Sequence, residues 1–543
     1  MNKGMRSLWA TLLLLCLSPA PAAQRPWQMA TTPLYTLLSQ TSQSDTRAWM
    51  RDFDQFILST ADLLKLDLKS LPPLTVVLFN SDKDYTPYKL RRPDGKTASV
   101  AGQFIRRPTW SAIGMAPDAQ DEYLRRTILH EATHWLMSMD QARQPAWFAE
   151  GIAEMFSTFE RRGEKVNWAK PLGSHLNILD NSTMPLGQFL VEPSALFNRD
   201  DRQQIFYAQA WAFTYFLMFS DNSQRRPLMQ QFLQKFRSES GDSVVSEVFG
   251  DQLPQVERDF HVFIDRHTFP YVIQPVKPAP EPPDLQPAPA AVVEAALGLL
   301  ALGADRPELA QQHASRAIAA DGTSPKGYEV LAYVALGKND FDEAASQADS
   351  ALQRGSKDSQ LFVLMGDSYG QGRNREKPNA EQARVDLYEK AVNLSPRRLE
   401  IYQRLVGALY PMEQPRETDL QFLNLGTRAF PGEDWLKVGT AMVEYRLGRH
   451  DNAVATLDKV LRPESTLDAA ERQNATNLRR GWWVEAMNQE LRQATSRHDL
   501  AAARAVIVKY RELLGDIPQI ATYLNEFEAS LKQADPPARR SGR

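Results

Sequence analysis

Two stretches in the second half, "LALGADRPELAQQHASRAI" (300–318) and "VALGKNDFDEAASQADSAL" (334–352), match at a fixed offset of 34 residues, and no other feature restricts the fold as much. The offset pairs Ala301 with Ala335, Gly303 with Gly337, Ala310 with Ala344, Ala314 with Ala348 and Ala317 with Ala351. Alanines at spacings of four and three share one helix face, where small side chains let a second helix approach closely. A unit of this length cannot bury its apolar face alone, so copies must stack. The period predicts an all-α solenoid over residues 292–533, with generic alanine-rich helical hairpins as the plain alternative.

The matched pair resembles the tetratricopeptide repeats. "YEKAVNLSP" (388–396) looks like the second helix of a further copy, and "YRLGRHDNAVATLDKVL" (445–461) like part of another. Helical periodicity around "WWVEAMNQELRQA" and "AARAVIVKYRELL" suits a cap on the array, and residues 534–543, "ADPPARRSGR", read as a disordered tail. The resemblance implies a concave groove for a peptide or protein partner.

Between Pro275 and Pro289 there are seven prolines in fifteen residues. Such a stretch favours extended polyproline geometry, so residues 273–291 are expected to be a semi-rigid linker after a first domain spanning 24–272. That domain opens with segments read as polar and helical. Two strands are expected next, "LTVVLF" (74–79) and "TWSAIGMA" (109–116), then a helix starting near Asp118. The second strand offers an edge for an extended substrate, or is internal.

The N-terminus has a basic start at Lys3 and Arg6, an apolar run from Leu8 to Leu17 and a small-residue exit through Ala20, Pro21 and Ala22. This layout is that of a secretory signal peptide, residues 1–23, and implies a periplasmic or secreted product without a transmembrane segment. On a eukaryotic route Asn181 and Asn474 would be glycosylation acceptors. Cys16, the single cysteine, lies inside this run, so disulfides are excluded from the mature chain and a metal site must use histidine and carboxylate. With 63 basic and 66 acidic side chains, no global field favours nucleic acid.

The chemistry concentrates in "ILHEATHWLMSM" (128–139). In a helix, His130 and His134 lie one turn apart on one face and can each give a nitrogen to one ion, with Glu131 beside them to reach a water. Two histidines leave zinc short of a protein ligand. "QPAWFAEGIAEMF" (144–156) supplies Glu150 and Glu154, again four apart, after a gap of fifteen residues from His134 to Glu150. The plain alternative is an amphipathic helix with two surface histidines. The remaining histidines, His261, His267, His313, His450 and His498, lack such partners and read as ordinary surface or core residues.

"HEATH" followed by "PAWFAEGIAE" resembles the gluzincin metallopeptidases, and more closely the secreted peptidase-MA-like proteins in which W-x-x-E-G-x-A marks the second helix. The resemblance covers roughly residues 70–235, including "YAQAWAFTYFL" (207–217). It implies an α+β zincin-like catalytic domain ahead of the solenoid. It also implies Zn2+ held by His130, His134 and Glu150, Glu131 as general base, and Glu154 orienting a zinc histidine from behind. Tyr207 is the implied oxyanion donor, with Tyr215 and His175 as rivals; a half-buried core aromatic is the competing reading of Tyr207.

Together these readings describe an exported zinc peptidase whose repeats recruit substrate or partner. A peptidase-fold scaffold that binds proteins without turnover is the alternative, and a metallohydrolase acting on a non-peptide amide is a third.

Overall fold

The structure is a computed structural model that describes residues 25–66, 68, 71–90, 102–107, 109–116, 122–138, 144–191, 200–237, 239–269 and 271–534. The signal-peptide segment, the expected helix start at Asp118 and all of the expected tail except Ala534 lie outside them.

The first half begins with strands rather than helix: β1 (Gln28–Thr31) and β2 (Tyr35–Ser39) pair antiparallel. The short "YTLLS" run buries four of its five residues, which suits a strand covered on both faces more than an amphipathic helix. Helix α1 (Gln43–Leu64) follows, capped by Ser42, then β3 (Leu74–Leu78), the short α2 (Asp82–Tyr85), β4 (Gly102–Arg106) and β5 (Ser111–Met115). The helices that carry the chemistry are α3 (Glu122–Met137) and α4 (Ala146–Ser157). After the hairpin β6 (Glu160–Arg162) and β7 (Lys165–Trp168) come α5 (Gly173–Leu179), α6 (Leu186–Val191), α7 (Asp200–Phe219), α8 (Arg226–Phe236), α9 (Gly241–Val248) and α10 (Leu253–Asp265).

The main sheet is mixed, in the order β4-β5-β3-β2-β1 and then β9 (Gln286–Pro287). Strand β5 pairs parallel with β3 and antiparallel with β4, so "TWSAIGMA" is internal and offers no free edge. The described edge beside α3 is β4 instead.

Alternate side chains of the sheet enter two different cores. Leu37, Val76, Leu78 and Ile113 join α1, α3, α4 and α7 on one face. Leu38, Val77, Ile105 and Ala112 face the other way, and there they meet Leu297, Leu300, Ala301, Ala310 and Ala314 of the repeat half. The first repeat is therefore a layer of the same sandwich.

The proline-rich stretch, expected as a linker, lies along the first half. Strand β8 (Val272–Pro275) extends the β6-β7 hairpin, and β9 adds to β1. Between them Gln55 donates to the Lys277 carbonyl at 3.1 Å, and Arg47 reaches the Pro282 carbonyl at 3.2 Å and Asp284 at 2.7 Å. Prolines lack N–H donors, but their carbonyls still accept, and α1 supplies the donors.

The second half is a solenoid of antiparallel helical pairs: α11 (Ala290–Gly303) with α12 (Pro307–Ala320), α13 (Lys326–Gly337) with α14 (Phe341–Gln353), and α15 (Ser359–Gln371) with α16 (Ala380–Leu394). It continues through α17 (Leu399–Leu409), α18 (Glu417–Ala429), α19 (Asp434–Arg446) and α20 (His450–Val460), and ends on α21 (Ala469–Ser496), α22 (Leu500–Leu514) and α23 (Pro518–Ala534). Ala310, Ala314, Ala344, Ala348 and Ala351 are fully buried, as the 34-residue offset requires. Among the described residues no helix is long and apolar enough to cross a membrane.

Candidate metal centre

Helix α3 buries Leu124, Ile128, Leu129, Ala132, Trp135 and Leu136, which turns His130, Glu131 and His134 toward the opposite, half-buried side. Trp135 fixes the helix from below by donating to the Pro72 carbonyl at 3.1 Å. Helix α4 is anchored by Trp147, whose ring packs against Phe189, Phe213 and Phe232.

Gly151 explains why the glutamate of "AEGIAE" is followed by glycine. A Cβ there would stand 2.2 Å from Thr214 Oγ1 and 2.4 Å from the Ala210 carbonyl, so only glycine lets α7 approach α4 this closely. The close crossing brings Tyr207, on the N-terminal half of α7, to the histidines: its ring centroid is 6.1 Å from that of His130, edge to face.

Three donor atoms converge. His130 Nε2 and His134 Nε2 are 3.1 Å apart, and Glu150 Oε2 stands 3.3 Å from the first and 3.2 Å from the second. Zinc bonds of about 2.0–2.1 Å in tetrahedral geometry place neighbouring ligand atoms about 3.3 Å apart, so the triangle fits such an ion. Among the described residues this is the one group of three or more histidines and acids with donor atoms so placed.

Behind it, Glu154 Oε1 lies 3.3 Å from His130 Nδ1, while Glu154 Oε2 is 3.2 Å from His175 Nε2 and 3.5 Å from Arg126 Nη2. The His175 approach is at ion-pair distance but out of line for a hydrogen bond. His175 thus sits behind Glu154. Tyr215, the other rival to Tyr207, is buried in the core between Trp211, Phe219 and Phe269.

The electrostatics couple the histidines to the two carboxylates. Burial works against a charged His130, but the hydrogen bonds and charges of Glu150 and Glu154 outweigh it and lift its pKa to about 10. Burial would raise Glu150, yet His130 and His134 hold it down at about 2, and His130 and His175 hold Glu154 lower still against its own burial. Burial, and next the Glu150 charge, push Tyr207 up to about 12, so its hydroxyl keeps its proton at neutral pH.

Arg126 was not singled out in the sequence, although it lies one turn before His130 on the same helix face. His175 lies on a separate helix, and no spacing rule links it to Glu154.

No family model matches the chain, and no curated protein matches it. Solved structures align with part of it: YrrB, described as a TPR protein with an unusual peptide-binding site, at 18% identity and TM-score 0.29, over 34% of this chain and 92% of that one. PilF of Pseudomonas aeruginosa aligns at 17% identity and TM-score 0.26, over 44% and 97% of the two chains. MamA aligns at 13% and 0.26, over 31% and 89%. Likeness at this level carries no inference about function.

Proposed function

We propose that this chain is a zinc-dependent peptidase of the gluzincin type whose helical repeats hold the substrate or a partner protein. The convergence of His130 Nε2, His134 Nε2 and Glu150 Oε2 at 3.1–3.3 Å carries the reading. Bound zinc would lower the pKa of a water and polarise the scissile carbonyl. Glu131, half-buried beside His130, accepts the proton of the attacking water and passes it to the departing amine nitrogen. The Tyr207 hydroxyl, kept protonated, donates to the oxygen on which charge develops. An extended peptide adds to the edge of β4, which has a strand partner on one side only among the described residues.

The scaffold reading draws on a different observation. Where the solenoid meets the β4–β5 turn there is a cavity of about 420 Å³, lined by Trp110, Leu302, Tyr333 and Leu336 with Arg107 and Arg404 at its wall. That size suits one or two side chains of a bound polypeptide.

Reduced, carboxymethylated α-lactalbumin, an unfolded polypeptide, separates the two. Incubation with zinc-loaded protein should yield fragments, while chelation stops cleavage and Glu131→Gln slows it by roughly 10²–10⁴-fold. Binding of the probe without any fragment from the wild type would reject the peptidase and leave the scaffold.

A further inference from the structure

We propose that His175 is a positioning residue of the metal centre: together with Arg126 it fixes Glu154, and through Glu154 it sets the orientation of His130. The inference rests on the zinc reading above and extends it to a side chain that does not touch the triangle of donor atoms.

Glu154 is held from two directions, by His130 Nδ1 at 3.3 Å on Oε1 and by His175 Nε2 at 3.2 Å and Arg126 Nη2 at 3.5 Å on Oε2. The last torsion of a glutamate is broad and soft, so a carboxylate held at one oxygen swings. Held at both, it presents a fixed acceptor to the imidazole. A metal-bound imidazole needs that acceptor, because the partner of its second nitrogen decides which nitrogen keeps a lone pair and where the ring points.

His175 is itself immobilised. It sits on α5 with its side chain 12% exposed, and its ring lies 5.8 Å from that of Trp211. Trp211 is fully buried on α7 and stacks on Phe269 at 4.8 Å. Both ring nitrogens of His175 are buried, and neither has an in-line hydrogen-bond partner among the described residues. The hold on Glu154 is a close polar contact, with Nε2 3.2 Å from Oε2, and the packing of the ring against Trp211 keeps it there. Four helices thus set one ligand: α7 braces α5, α5 and α3 brace Glu154 on α4, and Glu154 orients His130.

The test is zinc affinity of the full chain, by competition with a chromophoric chelator, for wild type, His175→Ala and His175→Gln, with metal-free melting curves to show that each variant folds. His175→Ala should bind zinc about 10–100-fold more weakly. His175→Gln, whose side-chain amide places an N–H near the old Nε2, should recover most of that loss, and its cobalt-substituted spectrum should match the wild type where that of His175→Ala shifts. If His175→Ala does not fold, the shorter His175→Asn takes its place and is expected to show the loss. Equal zinc affinity in wild type and His175→Ala overturns the proposal, as does an equal loss in both variants. A wild type that binds no zinc removes the underlying reading as well, and is recognised because the failure then precedes any substitution.

Discussion

Two buried histidine clusters flank the same sheet, and they are built to opposite ends. On the α3 face, His130 and His134 aim one nitrogen each at a single carboxylate oxygen, with a second carboxylate behind. On the solenoid face, His313 of α12 is 4% exposed, with Nε2 2.9 Å from the Tyr88 hydroxyl and Nδ1 2.7 Å from both Glu294 Oε2 and Arg316 Nη2. Burial lowers the pKa of His313, whereas the acids lift that of His130 to about 10. At His313 the guanidinium already supplies the cation and both nitrogens are satisfied. At His130 two carboxylates, Glu150 and Glu154, stand against the Arg126 guanidinium and three donor atoms face one point, which is the arrangement the proposed zinc would fill. A buried histidine beside a glutamate is therefore no site by itself; the balance of charge decides.

The sharpest way to break this contrast is Glu150→Ala, which removes the converging oxygen and should weaken zinc binding by roughly three orders of magnitude, read by chelator competition. Gly151→Ala should come next. A methyl group at 2.2 Å from Thr214 Oγ1 forces α7 away from α4, costing about 1–3 kcal/mol in a denaturant titration, and should impair turnover as Tyr207 moves with α7.

Acidity separates the clusters more gently. Glu150, lowered from 4.5 to about 2, contributes stability present above its ordinary pKa and lost as pH falls toward 2. His130, raised from 6.5 to about 10, contributes stability present below pH 6.5 and lost as pH rises through 10. The metal-free pair should thus stabilise most between about pH 4.5 and 6.5, as melting temperatures in chelator would show. Zinc must displace the His130 proton, so its affinity should climb with pH across the upper range. His313, lowered, works the other way: its share is present above 6.5 and lost on acidification. The smallest effect on the metal belongs to His313→Gln, which should leave zinc affinity unchanged and cost about 1–3 kcal/mol of stability by stranding buried partners.

What the sequence made legible was local. His130 and His134, and Glu150 and Glu154, are pairs one helical turn apart, and the 34-residue offset is a repeat within one chain segment. The order of the sheet is not local, so β4 as the edge, and β5 as an internal strand, emerge only when β3 and β4 are seen on either side of β5. The union of α11 and α12 with the sheet was hidden for the same reason: alanines at 310 and 314 report a close neighbour without naming it, and Ile105 and Leu300 carry no mark of belonging to one core. The strand character of β1 and β2 was masked by brevity. His175 was singled out as a rival oxyanion donor, but its place behind Glu154 was hidden because a carboxylate's second oxygen has no sequence signature.

The most direct measurement is metal content by elemental analysis after dialysis against chelator-free buffer, for wild type, His134→Ala and His313→Ala. The account predicts close to one zinc per chain in the wild type and in His313→Ala, and none in His134→Ala. A wild type without zinc, or zinc that survives in His134→Ala, would contradict it.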